Sequence, residues 1–396
     1  MGSPSLKKKV LFLTGTRADF GKLQPLMHAV ENSSKYECFI FVTGMHTLSR
    51  YGYTTGEVEK AGFINIHTYM NQYHNEPMDL ILANTIGGLS RYVQENIPDL
   101  IVIHGDRIET MAGAIVGILQ NILVAHIEGG EISGTVDEII RHSVSKLSHL
   151  HFVANEEAAI RLKQMGERPE SIHVIGSPDI DIMLSSNLPT LEDVKSYYKI
   201  SFDDYAIVIF HSVTTEIDQI NNYIESFVSA LIESKQNYIV IYPNNDEGSE
   251  IIFLEYEKIK NSSHFHLSPS FRFKYFLVLL KNAKFIIGNS SSGIREAPVY
   301  GIPTINVGTR QNNRSINPNI HNVANDKELI LKEIHNIVKN GTKYKSSKHF
   351  GKGDSLHRFM EKLEEKKLWG TKKQKQFCDI PDELSTVKRH PEIKFE

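Results

Sequence analysis

The feature that most constrains this chain is a rhythm. Short runs of β-branched and aromatic residues, apolar at successive positions, alternate with longer segments whose apolar residues recur at helical spacing. Residues 10–15 (VLFLTG) lead into 23–32 (LQPLMHAVEN), and 38–44 (CFIFVTG), 99–106 (DLIVIHGD), 122–130 (ILVAHIEGG), 149–156 (HLHFVANE) and 171–178 (SIHVIGSP) repeat the pattern. A strand apolar on both faces belongs in a parallel sheet covered by helices on both sides, and its alternation with helices builds βαβ units. The rhythm restarts at 205–211 (YAIVIFH), passes a helical segment near 216–234, and continues through 237–244 (NYIVIYPN), 284–291 (KFIIGNSS) and 303–308 (PTINVG). The fold class expected is therefore α/β with two doubly wound parallel sheets. A length of 396 residues fits two cores better than one.

Between the two series, residues 185–204 carry Ser-Ser-Asn-Leu-Pro, mixed charges and a short helical piece around 191–198. That stretch marks the boundary. We expect a first domain over 7–190, a second over 191–370 with 351–367 helical, and a polar, lysine-rich tail over 371–396. Ligands of open parallel sheets lie beyond the carboxyl ends of the strands, so two such sheets facing each other make a cleft lined by strand-end loops. A hinge near 185–204 fits that arrangement.

Charge narrows the partners. Net charge is −3, from 44 basic and 47 acidic residues spread along the chain. No broad basic field exists for a nucleic acid or a membrane surface, so an anionic ligand must be held locally. The two cysteines, Cys38 and Cys378, stand far apart and outside any zinc-ligand spacing, which fits a reducing, cytoplasmic setting. Residues 10–13 are too short an apolar run for a signal segment, and no window approaches a membrane span.

The loops hold the chemistry. Residues 14–22 (TGTRADFGK) form a strand-to-helix turn that is neither a dinucleotide fingerprint nor a phosphate-binding P-loop. Arg17 and Lys22 beside a helix N-terminus suit a diphosphate, or are surface charges of a tight turn. Residues 104–107 (HGDR), 126–131 (HIEGGE) and 135–138 (TVDE) bring carboxylates to strand ends. Paired acids in a cleft suit proton abstraction and donation; helix N-capping is the structural alternative for Asp137, and loop solvation for Glu131.

At 210–216 (FHSVTTE) a strand ends in His211, with Thr214 or Thr215 as a helix cap; the histidine either bonds a phosphate or is structural. Residues 288–296 (GNSSSGIRE) place three hydroxyls and two glycines where a helix is expected to start, a diphosphate cradle, with Glu296 able to accept both hydroxyls of a ribose or to balance the helix dipole. Thr309 and Arg310 follow the strand 303–308 at the same edge. No metal-ligand spacing, Cys/His dyad or nucleophile elbow occurs.

Taken in order, the runs TGTRADFGKL, VTGMH, HGDR, HIEGGEISGTVDEIIRHSVSKLSH, NNDEGS, GNSSSGIREAP and GTRQ resemble, over almost the whole chain, the UDP-N-acetylglucosamine 2-epimerase family, and the 126–138 run resembles its hydrolysing branch from sialic acid biosynthesis. The resemblance implies a GT-B-like pair of Rossmann-type domains and a homodimer or homotetramer. It also implies UDP-N-acetylglucosamine as substrate, UDP and free N-acetylmannosamine as products, and no cofactor or metal. Carried over by position, it places the catalytic acids at Asp106, Glu128 and Asp137 and the nucleotide histidine at His211. The remaining nucleotide contacts fall at Arg17, Gly21, Lys22, Arg107, Asn244, Phe271, Ser290, Ser291, Glu296 and Arg310, with His46 as a sugar contact. The family's HPVTT stands here as HSVTT, which removes a proline's restraint ahead of the helix. Alternatives carried forward are a 2,4-diacetamido-trideoxyhexose nucleotide as substrate, a non-hydrolysing epimerase, a GT-B glycosyltransferase and a non-catalytic nucleotide-sugar sensor.

Overall fold

A computed structural model describes residues 7–133, 135–311, 314, 317–341 and 344–379. Of the tail expected at 371–396, residues 380–396 lie outside the described residues. The first sheet is built from β1 (Lys8–Thr14), β2 (Tyr36–Val42), β3 (Asn65–Thr68), β4 (Leu100–His104), β5 (Leu123–Ile127), β6 (Leu150–Val153) and β7 (Ile172–Val174). Their order is β3-β2-β1-β4-β5-β6-β7, and every pairing is parallel. The second sheet comprises β8 (Ala206–Ile209), β9 (Tyr238–Ile241), β10 (Phe265–Ser268), β11 (Ile286–Gly288), β12 (Thr304–Val307) and β13 (Ile320–Val323), in the order β10-β9-β8-β11-β12-β13, again all parallel.

The register shows why the apolar runs have no polar face. β1 pairs with β2 from Lys8↔Tyr36 to Thr14↔Val42 and with β4 at Val10↔Leu100. Its even positions, Val10 and Phe12, pack with Leu23, Leu26 and Met27 on one side of the sheet. Its odd positions, Leu11 and Leu13, pack with Leu89, Val93 and Ile103 on the other. β8 behaves alike: Val208 joins Phe227 and Leu231, while Ile207 and Ile209 join Leu277 and Phe276. Each fully buried side chain of this size contributes about 1.5–3 kcal/mol through burial, so two-sided burial is what holds such short strands. Strand order reverses between β1 and β4 and between β8 and β11, opening a crevice at the carboxyl ends of both sheets.

The chain does not end on its second sheet. The helix Ser355–Glu364 carries Phe359 and Leu363, and the turn after it Leu368, into the core of the first. Phe359 meets Phe152 edge-on at 5.1 Å between ring centroids. Trp369 stacks on Tyr36 at 5.8 Å, and the Tyr36 hydroxyl donates to the Leu363 carbonyl at 2.6 Å. The described part of the tail continues over the first sheet, where the Cys378 amide donates to the Gly166 carbonyl at 2.9 Å. No helix among the described residues is long and apolar enough to cross a membrane.

Candidate active site

A cavity of about 300 Å³ lies where the carboxyl ends of the two sheets face each other, lined by the loops after β1, β2, β4, β5, β8, β9, β10, β11 and β12. From the first sheet come Arg17, Lys22, Asp106, Arg107, Glu128 and Asp137; from the second come His211, Asn244, Phe271, Ser290, Ser291, Glu296 and Arg310. These residues, scattered over the sequence, therefore share one space.

The acids arrive on differently built supports. Glu128 follows β5 with φ +64°, left-handed backbone that a non-glycine residue adopts at a cost of about 1–2 kcal/mol. Its amide is tied to the Phe152 carbonyl at 3.0 Å, which fixes that conformation. Burial opposes its charge, but Arg295, His104 and Lys22 outweigh burial and hold the carboxyl well below its usual range. Arg295 contacts it at 2.7 Å and the Ser177 hydroxyl donates to it. His104 bridges Asp19 at 2.8 Å and Glu128 at 3.1 Å. Burial favours the neutral ring, yet the two carboxylates raise its pKa from 6.5 to about 9. Asp19, His104 and Glu128 thus form a relay in the cavity wall.

Asp106 follows β4 and pairs with the Arg141 guanidinium. Asp137 is not the cap of its helix: Thr135 is, its hydroxyl accepting the Asp137 amide at 3.3 Å. The carboxylate is left free to pair with Arg310 of the opposite sheet at 3.0 Å. Burial and the guanidiniums of Arg314, Arg295 and Arg310 push the Arg141 pKa well below its ordinary range. Arginine keeps its proton in proteins, so this reports a buried guanidinium crowded by like charge.

On the second sheet, Gly288 has φ +132°, and a Cβ there would lie 2.0 Å from the Ile209 carbonyl oxygen. Only glycine lets β11 come this close to the end of β8. Asn289 then clamps His211: its side-chain oxygen accepts the His211 amide at 2.7 Å and its nitrogen donates to the His211 carbonyl at 2.8 Å. The His211 Nδ1 accepts the Asn244 amide at 3.1 Å, which leaves Nε2 as the protonated donor. Burial, Arg310 and Arg107 hold this ring neutral, well below its ordinary pKa. His211 is a neutral hydrogen-bond donor.

Several expectations change in detail. The hydroxyl run does not open a long helix: Ser290 caps a single 3-10 turn, Ser291–Gly293, and only the short helix Ala297–Tyr300 follows. The polar atoms there are hydroxyls and turn amides, and a strong macrodipole is missing. Neither Thr214 nor Thr215 caps the helix Ile220–Ser234; a 3-10 segment, Thr214–Gln219, precedes it. His46 does not reach the cavity. It is fully buried between the Thr14 and Thr54 hydroxyls at 3.2 and 2.6 Å, and burial lowers its pKa to about 4. Gly21 sits on the helix Arg17–Glu31 against Phe273, where a Cβ would meet the Phe273 Cβ at 2.3 Å, so it serves the close approach of two helices.

Sequence reasoning missed the second layer. Arg295 is 2% exposed and touches Glu128 and Glu131, and burial of its charge is outweighed by Glu128, Glu131 and Asp179, which raise its pKa well above the ordinary value. Glu131, for which solvation was the alternative, is 5% exposed and also pairs with Arg314 at 3.3 Å. Asp179, 0% exposed, joins Glu296 in holding Lys22 at 3.1 and 2.9 Å. Oε2 of Glu296 is buried with no hydrogen-bond partner among the described residues, an acceptor at the cavity.

Residues 28–364 match the family model described as UDP-N-acetylglucosamine 2-epimerase. A curated relative of that name from Neisseria meningitidis serogroup B is 50% identical over 94% of this chain and 99% of its own length. The chain belongs to the UDP-N-acetylglucosamine 2-epimerase family. Two further members are each 33% identical. One is the UDP-N,N'-diacetylbacillosamine 2-epimerase (hydrolyzing) of Legionella pneumophila, over 90% of this chain and 95% of its own. The other is the polysialic acid biosynthesis protein P7 of Escherichia coli, over 83% and 85%. Among solved structures, a UDP-GlcNAc 2-epimerase from Neisseria meningitidis bound to UDP-GlcNAc superposes with TM-score 0.75 at 19% identity, covering 90% of this chain and 99% of that one. The Methanocaldococcus jannaschii enzyme in complex with UDP-GlcNAc and UDP gives 0.76 at 22%, with the same coverage. Epimerases of this family share the GT-B-like pair of parallel-sheet domains seen here.

Proposed function

We propose that this epimerase is of the hydrolysing kind, converting UDP-N-acetylglucosamine and water to N-acetylmannosamine and UDP in the cytoplasm, as a step toward sialic acid, and that it works as a homodimer or homotetramer. The observation that carries the reading is the Asp137–Arg310 contact across the cleft, where an acid of the first sheet touches a cation of the second. A diphosphate drawn to Arg310 and His211 thereby brings the sugar carbon it leaves next to Asp106, Glu128 and Asp137.

C2 of the substrate has no adjacent carbonyl, so its proton leaves only as the leaving group departs. A carboxylate removes H2, the C2–H electrons form the C1–C2 double bond of 2-acetamidoglucal, and the C1–O electrons leave with UDP. Water then adds its oxygen to C1 and a proton to C2 from the other face. Lys22, Arg17, Arg107, Arg310, the His211 Nε2–H and the Ser290–Ser291 turn stabilise the charge growing on UDP, the electrostatic contribution that dominates such steps. The Glu296 Oε2 takes a ribose hydroxyl. Asp106, Glu128 and Asp137 share proton transfer at C2 and activation of water.

Proton NMR in deuterated water tests this. Deuterium at C2 of free N-acetylmannosamine is expected, and an intact nucleotide sugar as final product rejects hydrolysis. Asp106→Asn, Glu128→Gln and Asp137→Asn should each lower kcat by about 10²–10⁴ while UDP affinity stays within a few-fold; full activity in all three defeats the assignment. The 33% likeness to the hydrolyzing diacetylbacillosamine epimerase supports a second reading, a UDP-2,4-diacetamido-trideoxyhexose as substrate. The ratio of kcat/KM for the two nucleotide sugars decides between them.

A further inference from the structure

The helix Val136–Leu147 carries Asp137 in its first turn and Arg141, the partner of Asp106, one turn later. Its other end is held by the far end of the chain. Lys375 Nζ donates to the carbonyls of Ser145, Lys146 and Ser148 at 3.3, 2.8 and 2.6 Å, and contacts Glu167 at 2.7 Å. The last carbonyls of a helix have no partner within it, and an ammonium there also opposes the negative end of the dipole. One side chain from a remote segment thus bonds three carbonyls at the end of the helix that bears the acid.

The segment that delivers Lys375 is itself anchored. The Lys373 carbonyl bonds His149 Nε2 at 3.0 Å, Arg168 donates to Gln376 at 2.8 Å, and the Cys378 amide donates to Gly166 at 2.9 Å. Gly166 accepts the Phe377 ring so closely that a Cβ would lie 2.4 Å from it. On the inner side, Ser145 of the same helix bonds His126 Nδ1 at 3.0 Å, and His126 Nε2 bonds the Gly105 carbonyl at 2.8 Å, next to Asp106. The helix is therefore pinned at its outer end by the strap and along its length to the loop of a second acid.

We infer that Lys375 is a positioning residue for the reaction, the C-terminal strap using it to set the axial position of the helix that presents Asp137 and Arg141 to the cavity. A helix of 12 residues places the two ends about 18 Å apart, so the effect is transmitted by the helix itself and Lys375 touches no substrate. Misplacement of an acid by about 1 Å costs up to about 10² in rate.

This rests on the proposed 2-epimerase chemistry only for its rate readout; the exchange readout stands apart from it. In the full-length protein, Lys375→Met removes the ammonium and keeps the stem, and Lys375→Arg keeps the charge. We expect amide exchange over 136–148 to quicken in Lys375→Met, kcat for UDP-N-acetylglucosamine to fall about 10-fold, and KM and UDP affinity to stay within two-fold. Lys375→Arg should recover at least half of kcat. Unchanged exchange over 136–148, faster exchange with unchanged kcat, or a loss of UDP affinity matching the loss of kcat each overturns the proposal. Absence of turnover in the wild-type protein strikes the proposed function instead, and the exchange result still decides whether the strap holds the helix.

Discussion

Removing His104 should flatten the alkaline slope of stability. Its ring lies between Asp19 and Glu128, its side chain is 9% exposed, and its pKa is raised from 6.5 to about 9. A histidine whose folded pKa exceeds its unfolded value binds a proton in the native state that the unfolded chain has released. The stabilisation is complete below pH 6.5 and disappears as pH rises through about 9. Between those limits stability falls by about 1.36 kcal/mol per pH unit for this one group, on the order of 3 kcal/mol in all. Urea unfolding of wild type and His104→Gln at pH 6 and pH 9.5 measures it. The variant lacks this one titration, so wild type should lose on the order of 3 kcal/mol more than the variant. Parallel pH slopes in the two would falsify the relay, and a steeper slope in the variant would mean that the ring is neutral when folded.

Two other substitutions probe the frame. Lys22→Met leaves Asp179 and Glu296 buried without their cation and should cost about 3–5 kcal/mol in urea unfolding at pH 7; a loss under about 1 kcal/mol shows that other groups neutralise them. Gly288→Ala forces a Cβ onto the Ile209 carbonyl and should cost more than about 3 kcal/mol, whereas Gly105→Ala, with φ +75° and open space around its Cβ, should cost only about 1 kcal/mol; equal melting temperatures for the two refute the steric argument.

Central strands announce themselves and, the edge strand β7 aside, edge strands do not. β1, β4, β5, β8 and β9 are buried on both faces, so their sequences are unbroken apolar runs. β3, β10 and β13 read NIHT, FHLS and IHNV, are short and partly exposed, and belong to their sheets only because a neighbour is there to pair with. The loops at strand ends were legible as the place for chemistry, since topology alone puts them there. Their internal pairing was not. Nothing local in Ile294-Arg295-Glu296 says that the arginine turns inward to Glu128 and Glu131 while the glutamate meets Lys22, because each partner lies more than a hundred residues away. Likewise the brevity of the helix after Ser290–Ser292 depends on Gly301, whose φ of +67° ends it against the Tyr344 carbonyl, a contact no window of sequence contains.

Charged contacts join the two halves across the cavity: Arg295 with Glu128 and Glu131, Arg314 with Glu131, Arg310 with Asp137, and Lys22 with Glu296. These cations already have carboxylates for company. A diphosphate bound as proposed competes with these carboxylates for the same cations, and an acid it displaces is set free at the same instant. On the proposed chemistry, entry of the leaving group and release of the base become a single exchange, so an acid such as Asp137 gains its freedom to act only when there is something for it to act upon.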